Sequence, residues 1–178
     1  MSVNNKELVA LERKLARLGK DISPEIEQII IAEGVYAAGR AKAIATSESG
    51  LHNTGDYKNN MHAGNKAITY NGSADYDGSR PRKSGNSYRI DLYNNLDYAS
   101  HLEYGFRAHF VPGHWEGRSF VYQRGDKEGG MFVGKPGQVI RGHHAITRAA
   151  KDTKATQGAR ITRKLNEILE KHMGGAGK

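Results

Sequence analysis

Cysteine is absent from this 178-residue sequence. That one absence excludes a disulfide framework, a thiolate metal site and a cysteine nucleophile, and it removes any sign of an oxidising compartment. Proline is scarce, with four copies, and there is a single tryptophan. Apolar residues make up only 37% of the chain, and mean hydropathy is −0.70. A chain of this kind supports a modest core, with some segments expected to order only against partners. No apolar run approaches the ~18 residues a membrane span needs. Met1 to Lys20 carries charges throughout and does not read as a secretory signal. The expectation is a soluble protein folded in a cytoplasm.

What the chain does have is glycine, 22 residues, and positive charge, net +8. The charge is uneven. Lys135 to Lys178 holds ten Lys or Arg and three Asp or Glu, a balance of +7. Arg148, Lys151, Lys154, Arg160, Arg163 and Lys164 carry most of it. Such an arm is an ordinary solvated helix face, or a contact for phosphates or an acidic partner. Backbone charge alone gives salt-sensitive, sequence-independent attraction to nucleic acid. No DNA-binding motif accompanies it.

The length suits one domain spanning 1–178. Residues 1–47 read as helical. Leu8, Leu11, Leu15 and Leu18 recur at three- and four-residue steps, on one helical face. Gly19 is expected to end that helix. Ser23 as N-cap and Pro24 at the first helical position then start another, with Glu25 and Glu27 favoured by its dipole. Ile26, Ile29, Ile30, Ala37, Ala41 and Ile44 continue the apolar face. Gly34 and Gly39 weaken this helix but allow a close approach, either by the chain's own sheet or by a neighbouring subunit.

Residues 48–137 form the strand-and-loop part. A short strand is predicted over Lys66–Asn71. A long exposed loop or hairpin tip, mobile when free, is predicted over Gly72–Gly85. Ser87–Asn94 alternates as a half-buried strand, with Tyr88, Ile90 and Leu92 on one side. Tyr98–Tyr104 reads as a short helix stopped by a left-handed Gly105. Phe106–Val111, Arg118–Gln123 and Gly130–Val133 read as antiparallel strands, separated by turns at Pro112-Gly113, Gly117 and Arg124–Asp126. Residues 138–173 read as a basic helix that Gly158 bends or breaks, and 174–178 as a flexible tail. The fold class is α+β: N-terminal helices, a small mainly antiparallel sheet with long loops, and a C-terminal helix.

Reactive chemistry finds little support in the pattern. The eight histidines lack metal-ligand spacing: His101 and Glu103, or His109 and His114, match no helical zinc signature. Glu103 and Glu116 are joined by a turn-rich stretch that sets no carboxylate distance. No nucleophile elbow, P-loop or dinucleotide fingerprint occurs. No catalytic residue, metal site or cofactor is assigned, and the chain is expected not to be an enzyme.

Three short motifs, in order, resemble the gene-product-10-like family of tailed phages. Thr54-Gly55-Asp56-Tyr57 after a long helix is similar to its T-G step. Tyr98-Ala99 with Glu103, Gly105 and Arg107 is similar to its Y-A…E-x-G signature in the variant followed by Phe-Arg. Arg141 to Ile146, with Gly142, is similar to the step that opens the last helix; Val139-Ile140-Arg141 stands where many members are Pro-rich. The resemblance implies a structural virion protein of the phage neck, which joins the head and portal region to the tail after assembly in the host cytoplasm. Its implied partners are copies of itself in a ring of six or twelve, and neighbouring portal-adaptor, head-closure and tail-terminator or tail-tube proteins. No membrane is involved.

Thr54, Gly55, Tyr98, Glu103, Gly105, Arg107 and Gly142 are therefore the candidate interface or structural residues, and the single Trp115 joins them as either a core anchor or an exposed contact residue. Glu103 is expected to hold backbone N–H groups or an arginine such as Arg107. Arg80, Arg82 and Lys83, with the six basic residues of the C-terminal arm, are candidates for transient contact with phage DNA or an acidic partner. The alternative is a basic nucleic-acid-binding accessory protein; a His/Glu metal-dependent hydrolase is a third class.

Overall fold

The structure, a computed structural model, describes residues 5–48, 55–67, 70–85, 87–125 and 129–173, apart from the side chains of 5–18, 20–22 and 173. Thr54, the side-chain packing of the Leu8–Leu18 stripe and the 174–178 tail lie outside the described residues. The chain divides into two compact units, residues 1–95 with 145–178, and residues 96–144. Helices and small antiparallel sheets make it α+β.

Two long helices frame the first unit, α1 over Asn5–Ser47 and α4 over Ala145–Met173. They pack against each other antiparallel. Ala38, Ala41 and Ala45 on α1, and Ala145 and Ala149 on α4, are fully buried. Residues this small let the backbones approach closely. Ion pairs set the register: Glu25 meets Lys171 and His172, Glu33 meets Arg160, Arg40 meets Asp152, and Glu48 meets Arg148.

The expected break at Gly19 and restart at Ser23-Pro24 do not occur, because α1 is continuous through both. Pro24 removes one helical hydrogen bond, a cost of about 3 kcal/mol in an interior. Packing of an amphipathic face supplies most helical stability, and α4 lines α1 from Glu25 onward, which outweighs that local cost. Ser23 does not act as the N-cap of a new helix; its Oγ lies 3.3 Å from the Tyr88 hydroxyl. Gly158 likewise does not break α4. It lies on an exposed face where an added Cβ would meet nothing within 4 Å.

A two-stranded sheet completes this unit, β1 over Met61–Gly64 antiparallel to β4 over Asp91–Asn94. The turn α2, Asp56–Asn59, leads into β1. Gly34 is where α1 meets the sheet: a Cβ there would fall 2.6 Å from Ile90 Cδ1 and 2.9 Å from Ala63 Cβ. The close approach is made by the chain's own strands, while Gly39 faces open space.

The single strand expected over 87–94 is interrupted at Ile90. β3, Ser87–Arg89, pairs with β2, Arg82–Ser84, as a separate hairpin. Tyr93, on the side opposite Leu92, is the residue most buried on β4. The reason is the 70–79 segment, which covers that side of the sheet and is not a free tip. Ala63 donates its N–H to Asp75 O at 2.8 Å, Asp77 donates to Ala63 O at 3.1 Å, and Tyr93 donates its hydroxyl to Asp77 at 2.7 Å. The strand expected over 66–71 is absent from its described part: 66–67 turn, and 70–71 are irregular.

In the second unit, α3 (Ala99–Tyr104) runs into β5 (Gly105–Arg107), which pairs antiparallel with β9 (Val139–Arg141). The helix expected from 138 therefore starts at Ala145, after a strand. The remaining strands form a sheet in the order β7 (Ser119–Tyr122), β6 (His109–Glu116), β8 (Gly130–Val133). Pro112-Gly113 is not a turn but the middle of β6. Residues 109–112 pair with β8 and 113–116 with β7. Proline has no N–H to donate, so it suits the point where β6 changes partner.

Candidate assembly surfaces

Motif residues far apart in sequence meet in the second unit. His143 donates its backbone N–H to Leu102 O at 2.8 Å, and His144 donates to Glu103 O at 3.0 Å. An added Cβ on Gly142 would lie 2.2 Å from Glu103 O, and one on Gly105 2.2 Å from Ile140 O. The two glycines are thus required by backbone meeting backbone. Gly105 has φ 81° and ψ 179°, so the helix stop is not the left-handed cap expected, but an extended positive-φ conformation close to glycine's own. Glu103 is buried, while Arg107 is exposed on β5. Gly55, at φ 79°, precedes α2. It turns the chain so that Tyr57 is buried and its carbonyl accepts a hydrogen bond from Asn94 Nδ2 at 2.7 Å.

Around that backbone framework the second unit displays aromatic surface. Tyr98 is 44% exposed at the N-cap of α3, and Trp115 is 57% exposed on β6. Phe110 and Phe132 stack edge-to-face at 5.4 Å across β6 and β8, and Trp115 and Phe120 at 5.3 Å across β6 and β7. Strand alternation puts these two pairs on opposite faces of the sheet. Of nine exposed large hydrophobics among the described residues, seven belong to residues 96–144. The large apolar side chains left in water are thus concentrated in the second unit.

The basic candidates divide. Arg160 forms a two-point pair with Glu33, at 2.8 and 2.5 Å, and lies 4.0 Å from the Tyr36 ring centroid. The Glu33 hydrogen bond raises its already high pKa. Arg148 pairs with Glu48, and Arg163 and Lys164 with Glu167 at 3.9 and 2.9 Å. Arg82 pairs with Asp91, and Lys83 lies 5.2 Å from the Tyr88 ring centroid. Lys151, Lys154 and Arg80 are exposed. Much of the basic character therefore holds the fold together, because antiparallel helices place the arginines of α4 beside the glutamates of α1.

One buried polar cluster escapes sequence reasoning. His62 is fully buried on β1, with Nδ1 2.5 Å from Ala74 O and its ring edge-on to Tyr70 at 5.0 Å. Asp77 completes the cluster. Burial pushes its carboxyl up, but hydrogen bonds from Ser79, Tyr93 and the Asn65 backbone outweigh that and hold it below the usual carboxylate range. Burial, then the hydrogen bond to Asp77, raises the Tyr93 hydroxyl. Only the coverage of β1 by a loop brings these residues together, and no spacing announces it.

Among the described residues, no helix is long and apolar enough to cross a membrane. No curated protein and no solved structure matches the chain. A family model does, described as "Bacteriophage HK97-gp10, putative tail-component", over residues 10–105. That stretch exceeds half the chain and runs from α1 to Gly105, through the T-G step and the Y-A…E-x-G signature. With its motif residues interlocked at the α3 terminus, this chain belongs to the HK97-gp10-like family of bacteriophage tail components.

Proposed function

We propose that the protein is a non-enzymatic structural component of the phage neck, which joins the head and portal region to the tail as a closed ring of copies. The observation that carries this reading is the second unit's sheet, with aromatic pairs on both faces and almost no buried side chains of its own. A sheet of this kind gains its stability when other chains cover it. In a closed ring each subunit offers one patch to a different patch on the next, and the rotation closes. Six or twelve copies are the numbers the family resemblance implies. Portal-adaptor, head-closure and tail-terminator or tail-tube proteins would lie above and below, within the virion. Function then consists of burying surface between chains, with no bond chemistry.

Transient contact with DNA falls to Lys151, Lys154 and Arg80, since the other basic candidates have partners within the chain or stack on its rings. The deciding experiment tags the chain in intact particles and locates it by electron microscopy. Density at the head–tail junction is the expected result. Density confined to the tail tip or capsid shell, or normal maturation of particles lacking the chain, overturns the reading.

A further inference from the structure

We infer that the groove between α1 and α4 receives the N-terminal turns of α1 from a second copy of this chain. The groove encloses about 580 Å³. Its floor is apolar, made by Ile29, Ala32, Tyr36 and Ile168. Arg163, Lys164 and Lys171 of α4 line its rim, and their side chains are 69%, 55% and 70% exposed. Two helices with an open apolar groove between them form two-thirds of a three-helix packing, and a third amphipathic helix fits such a site.

Three observations identify the occupant. The first is length. Lys171 and His172, in the last turn of α4, pair with Glu25. The α1 backbone remains helical from Asn5, so it runs about 30 Å beyond that level at 1.5 Å per residue. The second is pattern. Leu8, Leu11, Leu15, Leu18 and Ile22 follow alternating steps of three and four, the spacing of a packing seam. The same steps continue through Glu25 to Ile29, Ala32 and Tyr36, which belong to the groove. The stripe and the α1 wall of the groove are therefore one helical face, covered in part by α4 and extended past it.

The third is charge. The positions flanking the leucine stripe are Glu7, Glu12, Lys14 and Asp21, a net acidic edge, while Lys6, Arg13, Arg17 and Lys20 fall away from it. The groove lining sets Arg160, Arg163, Lys164 and Lys171 against Glu25, Glu33 and Glu167, so it is basic by one charge, and an acidic edge suits the exposed cations of its α4 rim. A continuous helix cannot fold its first turns back into a groove built from its own middle, so the occupant comes from another copy.

This contact joins two different patches, and so deepens the ring reading on which it rests. Because the chain has no cysteine, crosslinking is clean. Glu12→Cys chains are mixed with Lys164→Cys or Lys171→Cys chains and treated with a short bismaleimide, and mass is followed by light scattering. We expect crosslinks in the mixtures well above those in either variant alone. We also expect the Leu11→Ser/Leu15→Ser double variant to associate at least tenfold more weakly while keeping its helical circular dichroism. Copies that associate without these crosslinks, or associate equally well as the double variant, overturn the groove and leave the ring standing. A chain that stays monomeric at every concentration overturns the groove as well. Particles that mature without the chain remove the ring reading, whatever the crosslinks show.

Discussion

Of the thirteen buried hydrophobic residues among those described, twelve lie in the helical unit and one, Ala99, in the unit formed by residues 96–144. Exposed large hydrophobics have the opposite distribution. One unit is organised by side chains: alanine-lined helices, a tyrosine–aspartate cluster and ion pairs. The other is organised by its backbone: strand ladders, a two-residue anchor from His143 and His144 to α3, and glycines where chain meets chain. A unit with its core inside is stabilised by that burial, whereas one with its apolar side chains outside gains little from burial of its own. The division separates a unit with a buried core from one with exposed aromatics.

Substitutions test this division, the largest expected effect first. Gly105→Ala forces a Cβ onto Ile140 O at positive φ; it should cost about 2–4 kcal/mol and open the β5–β9 pairing, read by hydrogen exchange of residues 105–107 and 139–141. Gly34→Val drives methyl groups into Ile90 and Ala63. It should cost about 1–3 kcal/mol in urea unfolding, with no selective effect on the second unit. Equal losses of protection in both units would erase the contrast.

Glu33→Ala and Arg160→Ala should each cost about 1–2 kcal/mol, since this pair is two-pronged and the least exposed of the helix–helix pairs. A double-mutant cycle should return most of that as coupling. Arg40→Ala, at a pair exposed on both sides, should cost under about 1 kcal/mol.

The carboxylates of the helical unit give a pH test. Hydrogen bonds outweigh burial at Asp77, and at Asp91 the bond from Arg82 does most to outweigh it, so both are held below the usual carboxylate range. A depressed folded-state pKa contributes stability that is present above the unfolded value, near 3.9, and lost as pH falls through the folded one. The urea midpoint should therefore drop below about pH 4, and less steeply in Asp77→Asn. A slope unchanged in that variant would remove Asp77 from the account.

The smallest expected effect on the isolated chain carries the greatest functional weight. Trp115→Ser and Phe132→Ser should change its stability by no more than about 1 kcal/mol, the worth of one cross-strand aromatic pair, yet block incorporation into particles. A large loss of stability would mean that these rings pack inside the unit after all.

Composition, periodicity and spacing were enough for the α+β class, the helical character of the N- and C-terminal regions and the Y-A…E-x-G segment as a short helix stopped by glycine. These are local properties: a stripe at 3.6-residue spacing and a glycine after a helical turn mean much the same in any context. Breaks at Gly19, Pro24 and Gly158 were expected on equally local grounds, and did not appear. Packing of α1 against α4 and the ion pairs between them outweigh a penalty confined to one turn. The loop over β1, the His62–Tyr93–Asp77 cluster, the meeting of Gly142 with Glu103 and the partner change at Pro112 depend on residues distant in sequence. Which arginines hold α1 and which lysines remain free was likewise decided by helix register. Charge and hydropathy say that a residue seeks a partner, and only the tertiary arrangement determines which one it finds.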